Sequence, residues 1–105
     1  MIKDDVYRSV WALHDEVSPL SLLEHDNSVR REVVKLLADG FAVRARLTQG
    51  FQQPAPVHGY RPDIEAVKGK EQIIVEVIKE AIDWPKLSAL ERYAHEKPNV
   101  TVRFV

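Results

Sequence analysis

Two carboxylates stand out in the stretch GYRPDIEAVKGKEQIIVEVIKE, residues 59–80. Asp63 follows Pro62 at the head of a short run, and Glu76 is the one charge in the apolar run QIIVEVI. An unpaired carboxylate inside a buried strand costs on the order of several kcal/mol, so Glu76 needs a partner or a bound ion. The polar Lys68-Gly69-Lys70 segment between the two runs reads as a tight turn, which makes the stretch a hairpin. Asp63 shares a strand face with Glu65, and Glu76 shares one with Ile74 and Ile78. The hairpin therefore sets Asp63 opposite or diagonal to Glu76, at the spacing metal ligands need. The bland alternative leaves Asp63 in a turn, pairs Glu76 with Arg44 or Arg46, and solvates a third acid, Glu32.

Other chemistries find less support. The chain has no cysteine, which excludes disulfides, thiolate zinc sites and thiol nucleophiles. His14, His25, His58 and His95 lack metal-ligand spacing, and there is no Gly-rich phosphate loop or nucleophile elbow. The 105 residues make one domain, and no apolar run approaches the roughly 20 residues that cross a bilayer. The first ten residues, MIKDDVYRSV, lack the apolar centre of a signal peptide, so a cytoplasmic protein is expected. A net charge of −1 hides an asymmetry: residues 28–70 carry eight basic and four acidic side chains, net +4. Residues 1–27 carry two basic and six acidic, net −4. The middle of the chain is the part suited to a polyanion, although such clusters are often only solvated surface.

The elements that position the acids follow from periodicity. Residues 3–14 read as a short amphipathic helix with Tyr7 and Trp11, broken at Ser18-Pro19, and a connector runs through Leu23. Residues 25–39 form the strongest helix, with a Val29, Val33, Leu36, Leu37 stripe and Asp26 or Asn27 as N-cap. Gly40 stops it. Glu32 and, seven residues upstream, His25 border the stripe and read as solvated helix edge. Residues 41–48 alternate, with Phe41, Val43, Ala45 and Leu47 on one face and Arg44 and Arg46 on the other. A loop from Gln49 to Arg61 follows, with Phe51, His58, Tyr60 and Arg61 as contact candidates. Residues 62–67 and 72–78 are the hairpin strands, the second central and covered on both faces. Asp83 caps a helix over 83–96 with a Leu87, Leu90, Ala94 stripe, and residues 100–105 are a last strand. The expected fold is a single α/β domain: a mixed four-stranded sheet flanked by helices, in α-αβββαβ order. Residues 1–23 form an N-terminal helix and connector, and 24–105 the core.

Pro62-Asp63, a turn, then Glu76 in an apolar strand resembles the PD-(D/E)XK nuclease superfamily. This is the fold of type II restriction endonucleases and Holliday junction resolvases. With Glu32 on the preceding helix and a helix–strand unit after, the resemblance covers residues 25–105. It implies Asp63 and Glu76 as ligands of Mg²⁺ or Mn²⁺, Glu32 as a helical acid acting through a metal-bound water, and hydrolysis of DNA. Nucleic-acid contacts are expected at Arg30, Arg31, Arg44, Arg46, Tyr60, Arg61 and Lys86. The family pattern places a lysine two residues after the second acid, and here that position is Ile78. Lys79 serves as the catalytic lysine if a bulge turns it inward, since strand alternation otherwise points it to the opposite face. Lys86, at the start of the next helix, is the other donor. The alternative is a non-enzymatic module of this fold for nucleic-acid binding or homodimerisation, and a third reading is self-association through the acidic N-terminal helix with Tyr7 and Trp11.

Overall fold

A computed structural model describes residues 19–46, 48–79 and 82–105. The expected helix at 3–14 and Leu47 lie outside the described residues. The order is helix α1 (Pro19–Ala38), strands β1 (Ala42–Ala45), β2 (Ile64–Lys68) and β3 (Glu71–Glu76), helix α2 (Trp84–Glu96), and strand β4 (Val100–Phe104). The four strands form one mixed sheet in the order β1-β2-β3-β4. The first three pair antiparallel, and β4, reached through α2, runs parallel to β3. That is the expected small α/β arrangement, with β3 central. No helix among the described residues is long and apolar enough to cross a membrane.

Strand alternation sends the two faces of the sheet into two separate cores. Ala45, Ile64, Ala66 and Val75 meet Val29, Val33 and Leu36 of α1, with Phe41 closing the end. On the opposite face Ile74 packs with Val57 and with Leu90 of α2, flanked by Tyr93, Val100, Val102 and Phe104. Ile64, Ile74, Val75 and Leu90 are fully enclosed. The near-continuous apolar character of 72–78 thus reflects a strand with a helix on each side.

Strands β2 and β3 shift by one or two residues from 62–67 and 72–78, and three details of α1 and β1 also differ from the expected ones. Helix α1 (Pro19–Ala38) is already helical well before residue 25, so Asp26 and Asn27 lie inside the helix and do not cap it. Leu37 is 46% exposed: the buried stripe is Val29, Val33 and Leu36, and Leu37 falls beside it. Strand β1 spans four residues, because the chain turns at Arg46. The C-terminal stop of α1 and the N-cap of α2 follow expectation. Gly40, at φ +90°, takes the left-handed position after α1, and the backbone N–H groups of Gly40 and Phe41 donate to Leu37 and Leu36. The Asp83 carboxylate accepts from the backbone N–H of Lys86 at 3.1 Å and caps α2.

The long loop is held down at several points. Pro54, Val57 and Pro62 are buried, and Val57 bridges Tyr60 across a His58-Gly59 turn in which both residues have positive φ. The His58 ring sits edge-on to Tyr93 and its Nε2 lies 2.8 Å from Glu96, which ties the loop to α2.

Candidate functional site

The β2–β3 register places Ile64 opposite Val75, and one further step outward sets Asp63 across from Glu76. Each carboxylate takes a backbone N–H from the opposing segment. The backbone N–H of Asp63 donates to Glu76 Oε1 at 3.1 Å, and the N–H of Val77 donates to Asp63 Oδ2 at 2.9 Å. Both are buried, with 3% of Asp63 and 8% of Glu76 exposed. Two side chains, Lys86 and His25, close the cluster from the two helices. The first turn of α2, fixed by the Asp83 cap, brings Lys86 Nζ to 2.8 Å from Glu76 Oε2, and Lys86 is itself buried. From α1, His25 Nε2 reaches Asp63 Oδ2 at 3.1 Å, while its Nδ1 lies 3.5 Å from Asp26. Both hydrogen bonds to Asp63 fall on Oδ2, and among the described residues none falls on Oδ1.

The two acids sit in unequal environments. Burial alone pushes the Asp63 carboxyl up, but the His25 hydrogen bond, the Val77 N–H and the His25 and Lys86 charges together bring it below its usual value. Glu76 goes the other way: burial first, then the negative charge of Asp63, raise it against the pull of Lys86 and the Asp63 N–H. His25 is raised, chiefly by its hydrogen bond to Asp63, against a smaller opposing effect of burial.

These directions predict a pH dependence of stability without divalent ions. Asp63, lowered from 3.8, adds stability that is present above that pH and lost as pH falls through its folded value. His25, raised from 6.5, adds stability that is present below that pH and lost as pH rises through its folded value. Glu76, raised from 4.5, contributes in the same sense as His25, so its contribution also falls as pH rises. The His25–Asp63 pair is therefore worth most between 3.8 and 6.5. Urea unfolding in chelator should show the largest deficit for His25→Gln in that window, shrinking toward about pH 8. A deficit that stays constant from about pH 5 to about pH 8 would contradict the ion pair.

The other expected site residues lie elsewhere. Glu32 pairs with Arg103 at 2.9 Å and Lys35 at 3.4 Å, and it touches neither Asp63 nor Glu76. Two helical turns upstream of Glu32, His25 is the α1 side chain that reaches the cluster, a position read from sequence as solvated edge. Lys79 is exposed, three residues past the end of β3, and among the described residues it makes no ion pair with either carboxylate. The lysine on Glu76 is Lys86, and neither Arg44 nor Arg46 takes that place: Arg44 lies 3.7 Å from Glu65. Ile78 uses its backbone N–H to bind Val105 at 2.7 Å.

Nor do the basic residues of 28–70 form one stripe. Arg30 and Arg31 lie exposed on α1, Arg31 donating to Ser28 Oγ, whereas Arg44 projects from the sheet face opposite α1. Arg46 is exposed in the turn after β1, Arg61 donates to the Pro54 carbonyl, and Tyr60 is half-buried. Among the described residues, no three His, Asp or Glu side chains converge closely enough to enclose a metal ion unaided. No family model, curated protein or solved structure matches the chain.

Proposed function

We propose that the chain is a metal-dependent nuclease-like domain that hydrolyses phosphodiesters in DNA, with the restriction endonuclease-like arrangement of the PD-(D/E)XK superfamily. The observation that carries this reading is the buried Asp63–Glu76–Lys86 cluster at one end of the sheet. Its support from the fold is the order helix, three strands, helix, strand. Mg²⁺ or Mn²⁺ suits the donor set. Such ions are commonly held by one or two carboxylates, with water and substrate phosphate filling the remaining positions, so a cage of three protein ligands is not required. The repulsion that raises Glu76 beside Asp63 is relieved by a divalent charge.

Asp63 and Glu76 are the residues that would hold the ion, which when bound polarises the scissile phosphate and acidifies water. The chain's own groups do the rest. Val77 N–H and His25 fix Asp63 through Oδ2, and this leaves Oδ1 for a ligand. Lys86 supplies the ammonium that offsets charge developing on the phosphate, a role Ile78 cannot fill. Burial of the cluster excludes bulk water and strengthens each of these charges. The testing experiment is cleavage of supercoiled and linear DNA with Mg²⁺ or Mn²⁺. Cleavage that stops with EDTA and in Asp63→Asn supports the reading, and folded protein that cuts none of these substrates removes it.

One observation favours a second reading. Lys86 already pairs with Glu76 and His25 already hydrogen-bonds Asp63, so both acids have partners without an ion. On that reading the chain is a non-enzymatic module of the same fold, used for nucleic-acid binding or homodimerisation. Binding without turnover, with affinity falling steeply as salt rises, would distinguish it. Binding that ignores salt, or none, would leave protein association, which sedimentation at high concentration tests.

A further inference from the structure

Each oxygen of Glu76 already has a donor. Oε1 accepts from the backbone N–H of Asp63 at 3.1 Å, and Oε2 accepts from Lys86 Nζ at 2.8 Å. The two donors differ in kind. The Asp63 N–H belongs to the backbone leading into β2, where the N–H of Arg46 donates to the Asp63 carbonyl at 2.8 Å and fixes it. Lys86 Nζ sits instead at the end of a flexible four-carbon stem. Only the base of that stem is fixed, by the Asp83 carboxylate that accepts from the Lys86 backbone N–H. The ammonium has no second anchor, since Glu76 is its one ion-pair partner among the described residues. Against the cost of burial, its charge favours the ionised form of both Glu76 and Asp63.

Lys86 thus does for the acid pair what a divalent cation would do. It also places a positive charge where such an ion would add two more. Lys86 and Glu76 are both buried, so water and salt screen that opposition poorly. We propose that Lys86 is the resident cation of the site: it occupies Glu76 until a divalent ion displaces it, and the released ammonium is the one offered to the phosphate. Lys86 then has two states, paired with Glu76 in the ion-free protein and turned away from it in the loaded one. Displacing it holds down the ion affinity of the wild type. The proposal rests on the nuclease-like reading, because that reading is what puts the ion on Asp63 and Glu76.

The test is Mn²⁺ binding to the full chain at one fixed pH, read from the electron paramagnetic resonance signal of the free ion. Lys86→Met should bind Mn²⁺ at least about tenfold more tightly than wild type, because the opposing charge is gone. Lys86→Arg keeps the charge and should bind no more tightly than wild type. Mn²⁺ should also raise the melting temperature of Lys86→Met by more than it raises that of wild type. Where Lys86→Met does not fold in chelator, Lys86→Gln, which removes the charge and keeps a polar tip, carries the comparison. Charge-removing variants that bind Mn²⁺ no more tightly than wild type would overturn the exchange and leave the acid pair as the metal site. Lys86→Arg that gains as much affinity as Lys86→Met would overturn it too, since charge would not be the cause. Mn²⁺ bound by none of these proteins would overturn the exchange and the metal reading together.

Discussion

Asp63→Asn should lower both divalent-ion affinity and DNA cleavage by at least about a hundredfold while the domain stays folded. Substitutions of groups that merely support a metal ligand commonly cost about 10- to 100-fold, and removing a ligand charge is the more severe change. The asparagine keeps a side-chain oxygen for the Val77 N–H, so the clasp between β2 and β3 survives. What it loses is the charge that faces His25 and raises Glu76. Glu76→Gln should act in the same direction, with an added cost in stability because Lys86 is then left without its counter-ion. Circular dichroism and thermal melting beside the cleavage assay separate lost chemistry from lost fold. Wild-type cleavage by a folded Asp63→Asn protein would remove Asp63 from the site.

Lys86→Met carries the largest expected effect on stability. The Lys86 and Glu76 side chains are 10% and 11% exposed, so the substitution strands a carboxylate where water cannot solvate it. Breaking one side of a buried pair costs about 3–5 kcal/mol, a large share of the roughly 5–15 kcal/mol that holds a domain of this size. At about 4 °C or more per kcal/mol, the melting temperature at neutral pH should fall by roughly 12 °C or more. The deficit should ease as pH falls, because Glu76 is already raised and protonation removes the stranded charge. Combining Lys86→Met with Glu76→Leu should recover most of the stability, since a packed apolar pair replaces an ion pair at little net cost. The double variant should nevertheless remain unable to cleave DNA. A single variant as stable as wild type would mean that the pair is not buried in solution.

The sheet was legible because its period is short and its cover is complete. The apolar run 72–78 suggested a central strand covered on both faces, which β3 (Glu71–Glu76) is, and Asp83, Pro85 and Gly40 marked helix ends through backbone chemistry alone. Pro19 read as a break, yet the described helix α1 includes it. His25 therefore lies inside the helix, where it reaches Asp63; neighbours along the chain could not reveal that contact. Lys86 left a clearer trace, standing three and four residues before the buried Ala89 and Leu90 and thus on the inward side of α2. Glu32 carried the right residue type at the right helical edge, yet Arg103 on β4 claims it. Which of several charges on one helix face meets which strand is settled by tertiary packing, and periodicity is silent about it.

Calorimetric titration of the full chain with Mn²⁺ tests the central claim most directly, since it asks whether the acid pair binds a divalent ion before any substrate is chosen. One saturable site, lost in Asp63→Asn and in Glu76→Gln, is the predicted result. Wild type that gives only the heat of dilution, or a folded Asp63→Asn protein that binds as wild type does, would contradict it.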